Sequence, residues 1–165
     1  MIILGIDPGT RFSGYAILKK EQKSILLLDC GFLNLGAQNS LPERVFKFHN
    51  NIDQIINKFG VTDISLETPF LGKNAQNFLK LGYLRGILYY LAQKYKINLI
   101  EFSPREVKLS ITGFGGASKE QVSAMVHRIF PRLPDLKRDD VSDALAVSLC
   151  AAWQKRFVAP FEKVT

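Results

Sequence analysis

Cysteine is scarce in this 165-residue chain: Cys30 and Cys150 stand far apart, both in apolar settings. That count and spacing argue against a disulfide framework or a redox pair and predict two buried free thiols. Histidine is equally rare. His49 and His127 have no Cys or His at metal-ligand spacing, which argues against zinc. No apolar run is long enough to span a bilayer, so no membrane contact is expected. No basic region precedes the strand-like start at Ile2, so no signal peptide is expected either. Repeats, low-complexity tracts and Pro/Ser-rich linkers are also missing. The expectation is one domain over residues 1–165 in a reducing cytoplasm.

What the chain does have is positive charge, unevenly placed. The net charge is +7. Residues 71–138 hold 12 Lys/Arg against 4 Asp/Glu, while the remainder holds 10 against 11. A solvated basic surface would account for some of this. The local excess points further, to a phosphate-rich polyanion.

The order of elements reads as an α/β fold. Residues 2–7, 14–19 and 24–33 read as three strands of an antiparallel meander, with Pro8-Gly9 reversing the chain after the first. Ser40 and Glu43 form a capping box before a helix that Gly60 stops. A strand at 62–67, a long helix at 74–95 and a strand at 97–102 follow. Two short helices then open at Ser103 and Ser118, and a last helix runs from about Asp139, its expected N-cap, to Lys155. This predicts a mixed five-stranded sheet flanked by helices, with the first strand beside the fourth. Their carboxyl ends then share the edge where ligands gather.

That edge is acidic. Asp7 closes the run Ile2–Ile6, Glu67 closes Ile64–Leu66, and Asp140 and Asp143 share one face of the last helix at i, i+3. Taken singly, each has an ordinary role as turn former, strand-end ion pair or first-turn helix acid. Together, four carboxylates repel one another unless cations sit between them, and hard divalent ions such as Mg²⁺ prefer oxygen ligands. Two such ions roughly 3.5–4 Å apart serve an in-line phosphodiester hydrolysis. Asp7 is the best placed to bridge them. Glu67 and Asp143 would each complete one shell, with Asp140 an outer ligand or proton handler.

The opening Ile3-Leu4-Gly5-Ile6-Asp7-Pro8-Gly9-Thr10-Arg11 with Gly14-Tyr15 resembles RuvC-type Holliday junction resolvases. So do Glu67 with Phe70 and Lys73-Asn74-Ala75, then Leu79-Lys80-Leu81-Gly82 with Arg85-Gly86. The same holds for Pro104-Arg105-Glu106-Val107-Lys108, for Gly113, Gly115, Ala117, Lys119 and Val122, and for Asp140 with Asp143-Ala144-Leu145-Ala146. The resemblance covers residues 2 to about 150. It implies a ribonuclease-H-like fold and a homodimer that makes paired, Mg²⁺-dependent nicks in four-way DNA, with two ions per site and Mn²⁺ able to substitute. It places the family's four acids on Asp7, Glu67, Asp140 and Asp143, its junction-centre aromatic on Phe70 and its functional lysines on Lys108 and Lys119. It also implies a branch-migration motor as a partner. Some relatives carry His at the position matching Asp140.

The residues themselves suggest how DNA would be held. Phe70, next to Gly72, Lys73 and Asn74, could stack on an unpaired base or fold back over the core. Lys73 and Arg105 add basic contacts. Lys108 and Lys119 flank the Gly-rich segment 112–116, and Lys119 opens a helix where charge alone disfavours it, which suits a phosphate ligand. The long helix carries two apolar stripes. One is Leu81, Leu84, Leu88, Leu91 and Tyr95; the other is Leu79, Tyr83, Ile87 and Tyr90 with Gly82 and Gly86. One can cover the sheet and the other can meet a second copy. Other readings are an RNA-processing nuclease of the same fold, a non-catalytic junction-binding module and a sugar-kinase- or chaperone-type ATPase. The last would need two such domains.

Overall fold

The computed structural model describes residues 1–22, 24–69, 75–131, 133 and 138–154. Five strands form one mixed sheet in the order β3-β2-β1-β4-β5: β1 (Ile2–Asp7), β2 (Phe12–Lys20), β3 (Ile25–Asn34), β4 (Asp63–Glu67) and β5 (Asn98–Phe102). The first three form the expected antiparallel meander, and β4 and β5 add in parallel beside β1.

The helices are α1 (Leu41–Phe59), α2 (Ala75–Tyr95), α3 (Pro104–Thr112), α4 (Lys119–Ile129) and α5 (Asp139–Trp153). Capping boxes open α1, α3 and α4 at Ser40, Ser103 and Ser118, where hydroxyl and carboxyl or amide groups satisfy otherwise orphaned N–H groups. Gly60 and Gly113 end α1 and α3 at positive φ, 64° and 76°. One cap differs from expectation. Arg138, not Asp139, is the N-cap of α5, with extended backbone at φ −146° and ψ 129°. Asp139 is already helical, and its carboxylate serves the positive end of the helix dipole from the first turn instead.

The sheet separates two apolar clusters. Leu4, Ile6, Ile17, Ile64 and Leu66 pack with Phe48, Ile52, Leu84 and Leu88 of α1 and α2. Ile3, Ala16 and Leu18 pack with the inner faces of α3, α4 and α5. Alternation along each strand therefore decides which side a residue joins. Odd-numbered residues of β1 face α5, and Asp7 is the next odd position after Ile3 and Gly5. On β4, Ser65 donates a 2.7 Å hydrogen bond to the Val147 carbonyl of α5, so Glu67 follows it to the same side.

Gly5 and Gly14 let α5 lie directly on the sheet. A Cβ on Gly5 would sit 2.3 Å from the Ala144 carbonyl oxygen, and one on Gly14 would sit 1.9 Å from that of Asp140. Gly14 is the register partner of Asp7. The close approach thus occurs where the acids are. Cys30 and Cys150 are both free thiols, as expected, but only Cys150 is buried; Cys30, on β3, is half-buried, against the expectation for it. Among the described residues, no helix is long and apolar enough to cross a membrane.

Candidate active site

Asp7, Glu67 and Asp143 line one cavity of about 380 Å³ at the carboxyl edge of the sheet, together with Lys108, Lys119 and Arg85. Each acid arrives from a different element for a stated reason. Asp7 and Glu67 end neighbouring parallel strands whose register pairs Ile6 with Leu66, and continuing it by one sets the two acids side by side. Asp143 projects from α5 one turn before Val147, which also lines the cavity.

Electrostatics registers the crowding. Burial, then the charges of Asp143, Asp140 and Glu67, push the Asp7 carboxyl up to about 7 from an ordinary 3.8. Glu67 is raised by desolvation and by Asp143, against the pull of Lys119 and Lys108. Asp143 is raised by desolvation, which outweighs the opposing Lys119. The ammonium of Lys119 stands 3.3 Å from Asp143 Oδ2, and that carboxylate raises it in turn. Mutual elevation of carboxylates in a cleft, by desolvation and by one another's charge, is a mark of functional sites.

Among the described residues no group of three or more His, Cys, Asp or Glu side chains forms a ready metal cage. Asp143 is turned onto Lys119 and Asp140 onto Arg138. The donor chemistry itself fits a hard divalent ion. Three carboxylates with raised affinity for protons share one cavity, and their repulsion is of the kind a bound cation relieves.

Residues 3–151 match the family of crossover junction endodeoxyribonuclease RuvC. The chain belongs to that family. A crossover junction endodeoxyribonuclease RuvC from Chloroherpeton thalassium is 39% identical over 162 residues, which cover 98% of this chain and 87% of the relative. The structure of Thermus thermophilus RuvC aligns at a TM-score of 0.82 with 26% identity, over 92% of this chain and 93% of that one. T. thermophilus RuvC in complex with Holliday junction substrate shares the fold at a TM-score of 0.81 and 24% identity, with the same coverage. The ribonuclease-H-like sheet expected from the resemblance is therefore the fold of this RuvC-family chain.

The remaining expected site residues divide three ways. Lys108 and Lys119 reach the cavity. Arg105 is exposed and stays outside its lining; its stem runs along Gly115, where an added Cβ would lie 2.8 Å from Arg105 Cγ. Phe70 and Lys73 lie outside the described residues. Asp140 also stays outside the cavity lining, although its charge is felt at Asp7. Both Nε and Nη2 of Arg138 donate to its Oδ2, at 2.9 and 2.6 Å.

Two further residues shape the site, and sequence reasoning gave neither a role. Arg85 is 6% exposed. Its Nη1 donates to the Glu67 carbonyl at 2.7 Å, and its Nη2 pairs with the Glu101 carboxylate, which also accepts from the Tyr89 hydroxyl at 2.9 Å. A buried guanidinium thus ties the end of β4 to β5 and fixes the backbone that carries Glu67. The available signal was its place between Leu81 and Leu88, a charge on the buried stripe of α2. Arg138 is the other. Its partners Phe12 and Phe32 lie more than 100 positions away, so no local pattern points to it.

Proposed function

We infer that this protein resolves four-way DNA junctions by hydrolysing phosphodiesters in paired nicks. The carrying observation is the convergence of Asp7, Glu67 and Asp143 with Lys108 and Lys119 in one cavity of a crossover junction endodeoxyribonuclease family member. Asp7, Glu67 and Asp143 would hold divalent ions, Mg²⁺ by preference with Mn²⁺ able to substitute, and Asp140 would act as an outer ligand or proton handler. When bound, a pair of such ions activates water and stabilises the leaving oxyanion.

The chain's own groups do the rest. Lys119 and Lys108 neutralise the phosphate that enters the cavity. With Lys119 turned to phosphate, Asp143 would be free to hold a cation. Asp7 sheds its proton near neutral pH, so a small change in surroundings switches it to a ligand. Arg85 holds the Glu67 backbone in place.

A second copy of the chain fits the exposed stripe of α2. Leu79, Tyr83 and Tyr90 are 59%, 47% and 57% exposed, beside Gly82 and Gly86, at which a Cβ would meet nothing within 4 Å. A two-fold dimer suits a two-fold branched substrate, because two cavities then cut symmetrically. Residues 1–165 act as one domain in the cytoplasm, and a branch-migration motor is a further partner that the family relationship suggests.

The test is incubation with a labelled synthetic four-way junction, a matching linear duplex and single-stranded RNA, each with Mg²⁺ or with chelator. Symmetric nicks in the junction alone, lost with chelator, are expected. Cleavage of RNA would instead favour an RNA-processing nuclease, and junction binding without nicks a binding module.

A further inference from the structure

Of the four acids, Asp140 alone is engaged outside the cavity, and the group that engages it is unusual. Arg138 places two donors on one carboxylate oxygen. Its guanidinium carbon lies 3.8 Å from the centre of the Phe12 ring and 5.4 Å from that of Phe32, and the two rings meet edge to face at 5.7 Å. The ion pair is about one-third open to water, with the two side chains 32% and 31% exposed. Phe32 is 47% exposed.

We propose that Arg138 is a substrate-operated latch, which holds Asp140 aside in the free protein and surrenders it to the cavity when a DNA phosphate captures the guanidinium. The proposal rests on the junction-cleavage reading above. Three features carry it. Rings hold a guanidinium by its face, whereas carboxylate and phosphate bind its edge, so the Phe12–Phe32 platform keeps Arg138 in place while its partner changes. An ion pair a third exposed is open to competition, and a phosphodiester whose counterions are released on binding can displace it. Finally, Asp140 precedes Asp143 by three residues on α5, so a side-chain rotation brings it toward the other acids without moving the helix.

The position also suits DNA. The platform belongs to β2 and β3, on one side of β1, whereas Lys108 and Lys119 act on Glu67 of β4, on the other. A strand crossing the carboxyl edge of the sheet touches cations on both sides of the acids. Asp140 would then be delivered only when DNA spans the whole edge. The latch makes Arg138 a positioning residue whose effect depends on substrate.

The Nε–H resonance of Arg138, assigned by its loss in R138K, reports the latch directly. It is to be followed in the wild type and in D140N, free and saturated with a four-way junction in chelator. The two proteins should differ in this resonance when free and coincide when bound, because Asp140 has then left Arg138. In parallel, R138M should bind the junction 3- to 10-fold more weakly, with the slope of log affinity against log salt reduced by about one. The latch is overturned if the wild-type and D140N resonances differ as much in the complex as in the free protein, or if R138M keeps the wild-type salt slope. Should the wild type itself fail to bind the junction, the junction-cleavage reading falls instead. The resonance comparison does not depend on R138M, so poor folding of that variant leaves the outcome decisive.

Discussion

Two glycine pairs divide this molecule. Gly5 and Gly14 lie under α5 with no room for a methyl group, whereas Gly82 and Gly86 lie on α2 with nothing within 4 Å of an added one. The same residue type therefore does opposite things on the two sides of the sheet. The first pair closes a contact inside the chain and fixes how far α5 stands from β1 and β2. The second leaves a smooth strip between exposed Leu79, Tyr83 and Tyr90, which only another surface can cover. Close packing on the α5 side crowds carboxylates into one cavity, whereas the outer face of α2 stays open, the face to which we assign a second copy.

The strongest attack on this contrast is at the crowded acids. Asp7→Asn keeps the shape of the side chain and removes a charge that three other acids oppose. Nicking of a four-way junction should fall by about 10³-fold or more, roughly 4 kcal/mol of barrier, while junction affinity in chelator holds or improves. Gel assays of nicking beside anisotropy measurements of binding separate the two. Loss of both together would count against a catalytic place for Asp7.

Next in size is Gly14→Ala. Its Cβ would lie 1.9 Å from the Asp140 carbonyl oxygen, so α5 must lift and carry Asp140 and Asp143 with it. The expected cost is about 1–3 kcal/mol in urea unfolding. Nicking should drop by roughly 100-fold because acids on a displaced helix miss their geometry. A variant with wild-type stability and wild-type nicking would show that the contact does not set the site.

The third test is pH. Asp7 is raised to about 7, so between about pH 4 and pH 7 the folded chain keeps a proton that the unfolded chain has lost. Metal-free stability should therefore fall as pH rises through that window and level off above it, by about 2 kcal/mol once solvent screening is allowed for. Glu67 and Asp143 are shifted in the same direction. Asp7→Asn should flatten the curve. Nicking at sub-saturating metal should follow the opposite course and weaken as pH falls, because protons then compete with the cation for Asp7.

Much of the α5 side was legible in advance. Apolar runs ending in acid marked Asp7 and Glu67, and period-two alternation is enough to send both to one face. Capping boxes at Ser40, Ser103 and Ser118 announced three helices, because their partners sit three residues away. What stayed hidden depends on distant pairs. The turn of Asp140 onto Arg138 needs Phe12 and Phe32, and the anchoring of Glu67 by Arg85 needs Glu101 on another strand. The N-cap of α5 lies one residue before the Asp139 that composition suggests, because the extended backbone at Arg138, and not the side chain's capping preference, sets where the helix begins.

The smallest effect belongs to the open pair, and it has a sign that discriminates. Alanine at Gly82 and Gly86 removes backbone freedom from an exposed helix interior, where it should add about 0.8–1.0 kcal/mol per site to an isolated chain. If the strip meets a second copy, the same methyl groups intrude where two helices approach closely, and association weakens. The double variant should thus melt higher than wild type when dilute, and its advantage should shrink or reverse as protein concentration rises. Sedimentation equilibrium would show the matching loss of dimer. A gain in melting temperature that does not change with concentration, in a chain that stays monomeric throughout, would mean that nothing covers this face and that the two glycine pairs differ only in helix propensity.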